Sequence, residues 1–305
     1  MAQLKPALSY DEQIDRLKNV HNLLIPDEES ALDILKKVNY YRLSAYGIGL
    51  VKNDDREKYN DGISLEHIYR LYEFDSILRN KLIHVIEQLE IQLRTQISNY
   101  LSLKYGSESY MDPSHFTDKK TKDGTSEHTS VIESFKKERD HQKNAPFVKH
   151  HMDKYEGHFP LWVAIELFTF GNLSSLYSIM EANDRKEIAN LYNTEPKYLG
   201  SWILALVEIR NICAHYSRLY NMPLKQTPYL YSEYQQYKSQ TRNKVFPALI
   251  AVKRMLNSDA RWADFETQLE ALMDEYSDVV ILSFMGFPKE WKTLLSAKYR
   301  LSGDA

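Results

Sequence analysis

Three side chains near residue 210 are of the types that phosphodiester cleavage needs: Arg210, Asn211 and His215. A histidine exchanges protons near neutral pH because its unperturbed pKa lies close to it. An arginine stays charged and holds phosphate oxygens with two parallel N–H groups. Asn211 can orient a substrate or fix the imidazole through a hydrogen bond. The set predicts RNA cleavage through attack of the 2′-OH, with His215 as acid and base and Arg210 stabilising the phosphate.

The spacing of these residues decides whether they can act together. Residues 198–220 predict a helix that ends before Pro223. Arg210 and His215 are five positions apart, which is about 140° around an ideal helix. Either Arg210 reaches with its long side chain, or the helix distorts, or the two residues act across a dimer interface. Spacing alone does not separate this pair from an ordinary helix surface.

The two sides of this predicted helix differ in polarity. Asn211, His215 and Arg218 lie together on one side, where Arg218 is either an RNA contact or a solvated arginine near a helix C-terminus. Cys213 is predicted to be a structural thiol on the other side. That inward side carries an apolar stripe formed by Trp202, Leu206, Ile209, Cys213, Tyr216 and Tyr220.

A second group of charged residues lies on a long predicted helix at 65–104. Glu87, Glu90 and Arg94 are on its flank, and Glu90 precedes Arg94 by four positions, the favourable order for an ion pair. Two interpretations remain open. The residues form a surface or inter-helix salt bridge, or Glu87 or Glu90 holds Arg210 in place.

The remaining elements that must position these residues are also predicted to be helical. Apolar residues recur at three- and four-residue steps, and no segment shows sustained period-two alternation. The fold class is therefore all-α. Besides 65–104 and 198–220, helices are predicted at 10–24, 28–46, 160–170, 173–180, 184–192, 245–256, 262–276 and 288–295.

The chain divides into three predicted regions: an N-terminal helical region at 1–64, a core at 65–230 and a C-terminal helical region at 231–305. A polar insertion at about 107–158 interrupts the core and contains one amphipathic piece at 131–135. Its many lysines are solvated or clamp RNA by phosphate contacts.

Composition limits the class of protein. The 305 residues carry a net charge of −3, so an electrostatic footprint for nucleic acid must be local. One cysteine, no signal peptide and no apolar run of about 18 residues predict a cytoplasmic protein without a membrane contact. The histidines of the insertion fit no zinc spacing, so neither a metal nor a cofactor is expected.

The string RNICAHYSRLYN at 210–221 resembles the signature of the HEPN superfamily, an arginine and asparagine followed by a short spacer and a histidine. More narrowly, the sequence resembles the Abi-like family of bacterial abortive-infection proteins, the AbiD/AbiF type. Three further segments match the pattern of that family, in the right order within about 10–230: KKVNYYRLSAY at 36–46, LYEFDSILRNKLIHVIEQLEIQLRTQISNYLSLKYG at 71–106 and FPLWVAIELFTFGNLSSLY at 159–177.

The resemblance implies a HEPN-type helical bundle, active as a homodimer with paired motifs in one cleft. It also implies a metal-independent endoribonuclease in phage defence or a toxin system, with a small regulatory RNA as a further partner. Two alternatives stay open. The chain is a non-cleaving RNA-binding or phage-sensing module, or it is a purely structural helical protein, which buried and internally saturated Arg210 and His215 would favour.

Overall fold

Helices account for the regular structure of the protein. The computed structural model describes residues 6–256 and 259–296, and these form fourteen α-helices, six short 3-10 helices and no strand. The all-α prediction is therefore confirmed. Residues 1–5, 257, 258 and 297–305 of the predicted regions lie outside the described residues. No helix within the described part of the chain is both long enough and apolar enough to cross a membrane.

The α-helices are numbered in chain order. They are α1 (Tyr10–Asn19), α2 (Glu28–Lys37), α3 (Tyr40–Ser44), α4 (Leu65–Tyr105), α5 (Glu127–His141), α6 (Pro146–Lys154), α7 (Leu161–Ala164), α8 (Phe170–Ile179), α9 (Ala182–Asn190), α10 (Pro196–Ala214), α11 (Lys238–Thr241), α12 (Phe246–Met255), α13 (Asp259–Glu275) and α14 (Trp291–Ser296).

The long helix α4 is the centre of the bundle. Ser64 caps it by accepting a hydrogen bond from the His67 backbone N–H at 3.0 Å, and Gly106, with φ +96°, ends it. The helix runs unbroken for 41 residues and packs against α2, α3, α7, α8, α9, α10, α12 and α13. Its inward stripe is buried, and each such Leu or Ile contributes about 1.5–3 kcal/mol. The stripe includes Leu78, Leu82, Ile86, Leu89, Leu93 and Ile97.

Helix α10 crosses the centre of α4 and also packs against α8, α9 and α12. Its buried face matches the predicted stripe at Trp202, Leu206, Ile209 and Cys213. The predicted end at 220 is wrong, because the helix ends at Ala214. The predicted inward position of Tyr216 is also wrong, since its side chain is 69% exposed.

The end of α10 is set by hydrogen bonds that turn the chain out of the helix. The N–H of Ser217 donates to Ile212 O at 2.9 Å, and the N–H of Tyr216 donates to Cys213 O at 3.2 Å. This pair of bonds is the Schellman motif, in which the residue after the cap adopts the left-handed region. Here that residue is Tyr216, with φ +54°, rather than the usual glycine.

Three other predicted boundaries change in the structure. The predicted helix at 28–46 is two helices, because Asn39 caps α3 by accepting from the Tyr41 N–H at 2.8 Å. The predicted helix at 160–170 is reduced to α7, which ends at Ala164, and residue 170 begins α8, which Thr169 caps. The polar insertion forms two helices, α5 and α6, and the predicted amphipathic piece is confirmed by buried Val131 and Phe135.

Candidate functional site

Arg210 lies on the last turns of α10 and is held from two sides. Its Nε is 3.3 Å from Oε2 of Glu90 on α4, and its Nη1 donates to Oδ1 of Asn211 at 3.4 Å. The side chain remains 35% exposed. Its Nη2 has no hydrogen bond to any residue that the structure describes. The guanidinium is therefore held through Nε and Nη1, while Nη2 can still donate to a phosphate oxygen.

Glu90 is shared between two arginines. Its Oε1 accepts from Nη2 of Arg94 at 2.5 Å, while Oε2 faces Arg210, and the carboxylate is only 8% exposed. Arg94 also donates to the Ile165 carbonyl at 2.5 Å. A nearly buried carboxylate is stable here because two cations compensate its charge. Glu87, in contrast, is exposed and makes no ion pair within the described residues.

His215 is the residue that caps the C-terminus of α10. Its backbone N–H donates to Asn211 O at 3.0 Å, and its side chain is exposed. The imidazole has no hydrogen-bond partner within residues 6–256 and 259–296, so neither ring nitrogen is engaged by this part of the chain. Because α10 ends one residue earlier, the angle expected for an ideal helix does not apply to this residue. No hydrogen bond links the imidazole to the Arg210 guanidinium.

The turn after His215 is tied to the N-terminal region. The Arg42 guanidinium donates to the carbonyl oxygen of Tyr216 and lies 5.8 Å from the centre of the Tyr72 ring. The left-handed backbone conformation of Tyr216 costs about 1 kcal/mol or more in steric strain. Local strain of this kind persists only where surrounding contacts fix the backbone, and Arg42 supplies one of them.

Asp75 holds the loop that follows this turn, and its role was not predicted from the sequence. This carboxylate on α4 is fully buried and accepts the backbone N–H of Tyr220 at 2.7 Å and that of Leu219 at 3.1 Å. It also accepts the Tyr46 hydroxyl at 2.8 Å and Nε of Arg79 at 3.1 Å. The sequence did contain a signal, because an acid one turn after Leu71 falls on the apolar stripe of α4.

Arg218 lies in the same loop but does not join the Arg210 group. Its Nη1 donates to the carbonyls of Tyr220 at 3.1 Å and Asn221 at 3.3 Å. Burial lowers the pKa of Arg218 below its ordinary value, although it stays a cation at neutral pH. Its observed contacts therefore stabilise the loop between His215 and Asn221.

Two other groups bear on the chemistry of the site. Cys213 is buried, and burial raises the pKa of its thiol to about 12, which keeps it protonated and poorly nucleophilic. Within the part of the chain that the structure describes, no three His, Cys, Asp or Glu side chains are grouped closely enough to share a metal ion.

Comparison with known proteins identifies a family. The family model described as Abi-like protein matches residues 33–221, more than half of the chain, including α4, α10 and the loop that Asp75 holds. No curated protein and no solved structure matches the chain. The family suggests abortive infection. By the extent of this match, the chain belongs to the Abi-like protein family.

Proposed function

We propose that this protein is a metal-independent HEPN-type endoribonuclease that acts in abortive infection or as a toxin. One observation carries the proposal: an exposed imidazole without a hydrogen-bond partner among the described residues and a partly exposed guanidinium lie five residues apart at the end of one helix. Glu90 holds Arg210 without covering it, and His215 stands at the point where the chain leaves α10. The two groups are the base and the cation that 2′-OH attack requires.

The proposed reaction uses both side chains. The imidazole of His215 takes the proton of the 2′-OH while this oxygen attacks the adjacent phosphorus. Arg210 stabilises the added negative charge on the phosphorane oxygens. The bond from phosphorus to the 5′-oxygen breaks, and that oxygen receives a proton from a general acid. The products are a 2′,3′-cyclic phosphate and a 5′-OH.

A second copy of the chain supplies the general acid in this scheme, since one chain contributes a single His215. The exposed side chains of Tyr41, Ile48 and Tyr216 belong to segments joined at the turn and loop after His215, and they suit burial in a homodimer interface. Contacts keep these residues together: Arg42 donates to the Tyr216 carbonyl, and Asn221 donates to the Ile48 carbonyl at 2.8 Å.

The same observation supports a second candidate, a module that binds RNA without cutting it. A monomer with one imidazole can hold a phosphate through Arg210 yet lacks the paired acid and base. A small regulatory RNA would be a ligand of such a module. A purely structural role is disfavoured, because neither Arg210 nor His215 is buried and the imidazole has no partner among the described residues.

The test is cleavage of a labelled RNA by purified protein in EDTA. We expect His215→Ala and Arg210→Ala to slow cleavage by about 10²–10⁴-fold. The melting temperature should stay unchanged in His215→Ala, whose side chain is exposed, and fall in Arg210→Ala, because the nearly buried Glu90 then loses one of its two cations. His141→Ala is the matched control, because this histidine on α5 has an 81% exposed side chain far along the chain from the site. Undiminished cleavage by His215→Ala, or cleavage only with added Mg²⁺, refutes the nuclease; RNA binding without cleavage favours the second candidate.

A further inference from the structure

A wide cleft opens at the other end of α10 from His215. Its volume is about 1010 Å³, at the upper end of the roughly 300–1,000 Å³ range of small-molecule sites. The first turns of α10, one side of α8 and the segments at 225–230 and 238–243 form its walls. Six cationic residues and one acidic residue, Glu127, line it; the cations are Lys119, Arg185, Lys197, Lys225, Lys238 and Arg242.

This concentration of positive charge is local, because the whole chain carries a net charge of −3. Lys119 and Lys197 have acidic partners, Glu127 at 3.7 Å and Glu195 at 2.9 Å. The other four cations form no ion pair within the described residues. A cleft with several uncompensated cations attracts a ligand with several negative charges.

One cation in the cleft has an unsatisfied donor. Nε of Arg185 is shielded from solvent and has no hydrogen-bond partner within the described residues. Lys225 and Arg242 are exposed, and no side-chain hydrogen bond to a described residue holds either of them. The donors of Lys225 and Arg242 are available to phosphate oxygens, whereas Nε of Arg185 becomes available only if its side chain moves.

The cleft also presents aromatic rings. Tyr229 is 62% exposed, and Tyr198 lies beside Lys197, whose Nζ is 4.9 Å from the ring centre. A groove for single-stranded nucleic acid usually combines cations along the sugar-phosphate backbone with aromatic rings on which the bases stack. The lining therefore favours a strand over a small inorganic anion.

One face of α10 connects this cleft to His215. Along it, Lys197, Ser201, Leu204, Glu208 and Asn211 follow at steps of four and three residues, so they share a face. From Lys197 to Asn211 this face is about 21 Å long, and His215 follows four residues later.

The cleft wall is fastened to the middle of the same face. The Glu208 carboxylate accepts the backbone N–H groups of Lys225 at 2.9 Å and Gln226 at 2.7 Å. This contact fixes the segment that carries Lys225 relative to α10. The same contact covers α10 at Glu208, so a strand that leaves the cleft passes over the segment at 225–226 before it reaches Asn211 and His215.

We propose that this cleft binds the single-stranded RNA substrate and guides it along α10 to His215. The proposal rests on the proposed function, because it names the path by which the substrate reaches that site. The experiment measures RNA binding and RNA cleavage separately, so that each of the two proposals can be refuted without the other.

Binding is measured by fluorescence anisotropy with a labelled single-stranded 20-nucleotide RNA of mixed sequence. The protein is the full chain carrying His215→Ala, so that bound RNA is not cut. The cleft variant adds Lys225→Glu and Arg242→Glu. The matched control adds Lys36→Glu and Lys37→Glu, because these lysines on α2 are exposed, make no ion pair with a described residue and give the same charge change.

We expect the cleft variant to bind the RNA at least about tenfold more weakly. The slope of log binding constant against log salt concentration should become shallower by about 1.4, because two phosphate contacts are lost. The control should bind like its parent, and all proteins should melt at the same temperature. Equal binding by the cleft variant and the control overturns the cleft proposal. The cleft proposal is also overturned if the protein binds inorganic tripolyphosphate but not the RNA, because the cleft is then a site for a small anion.

Cleavage separates this proposal from the nuclease. In chains that keep His215, the cleft variant should cut the same RNA more slowly at limiting RNA and recover at saturating RNA, because binding rather than chemistry is weakened. If it cuts like the control while His215→Ala is inactive, the cleft proposal fails and the nuclease stands. If no protein cuts but the cleft variant alone loses RNA binding, the nuclease fails and the cleft stands.

Discussion

Oε2 of Glu90 lies 3.3 Å from Nε of Arg210 and so joins the central helix α4 to the end of α10. The same carboxylate binds Arg94, which holds the backbone at Ile165. The guanidinium of Arg210 is therefore oriented by a nearly buried group on another helix. A long, flexible side chain gains a preferred position in this way without losing its access to solvent.

Removing the charge of Glu90 should disorder Arg210. We expect Glu90→Gln to slow RNA cleavage by up to about 100-fold, because small displacements of a phosphate-binding group have effects of this size. It should also lower stability by about 1–3 kcal/mol through the loss of charged hydrogen bonds. Cleavage rate and urea denaturation are the measurements. Glu87→Gln is the control, an exposed carboxylate on the same helix; equal rates for both variants would contradict the assignment.

Removing the charge of Asp75 should release the loop that follows His215. We expect Asp75→Asn to lower the free energy of unfolding by about 3–5 kcal/mol, because Arg79, with a 4% exposed side chain, loses its charge partner. The amides of Leu219 and Tyr220 should exchange hydrogen faster than in the parent. Asp33→Asn, at an exposed position on α2, serves as control. Unchanged exchange at these two amides would show that Asp75 does not hold the loop.

The left-handed backbone at Tyr216 predicts an unusual preference for glycine. Tyr216→Gly and Tyr216→Ala both remove the ring, but only glycine adopts φ +54° without a steric penalty. We expect the glycine variant to be more stable than the alanine variant by about 1 kcal/mol, the reverse of their order inside a helix. Thermal or urea denaturation of the two variants measures the difference. Greater stability of the alanine variant would mean that the turn is not left-handed in solution.

Acid should weaken the attachment of α9 to α4. Burial alone would raise the pKa of Asp184, but hydrogen bonds from Lys104, Tyr100 and Tyr105 outweigh it and lower the pKa below 3.8. A lowered folded-state pKa gives stability that is fully present above the unfolded value and is lost as the pH falls through the folded value.

The measurement for this site is the free energy of unfolding of the parent and Asp184→Asn between pH 2 and pH 6. The difference in the free energy of unfolding between the parent and Asp184→Asn should be largest near pH 6 and shrink as the pH falls below 3.8. Asp118→Asn replaces an exposed carboxylate and is the control, so its free energy of unfolding should differ little from that of the parent at any pH in this range. A difference that is constant over the whole range would exclude an ionised Asp184 as the cause.

The sequence by itself determined the helices and the candidate residues. Apolar spacing over many turns predicted α4, given as 65–104, and the buried stripe of α10 as far as Cys213, because these signals lie within a few residues of one another. The types of Arg210, Asn211 and His215 were also enough to suggest phosphodiester chemistry. Whether they perform it stays a prediction.

Only the tertiary structure decided how those residues are presented. Tyr216 carries no local signal for a left-handed turn, so the end of α10 at Ala214 depends on contacts such as Asp75 with Tyr220, which are 145 residues apart. The choice of Glu90 over Glu87 as partner of Arg210, and the meeting of cations from distant segments in one cleft, likewise depend on packing. Local propensity acts over one or two turns, whereas contacts across more than a hundred residues form only when the whole bundle is assembled.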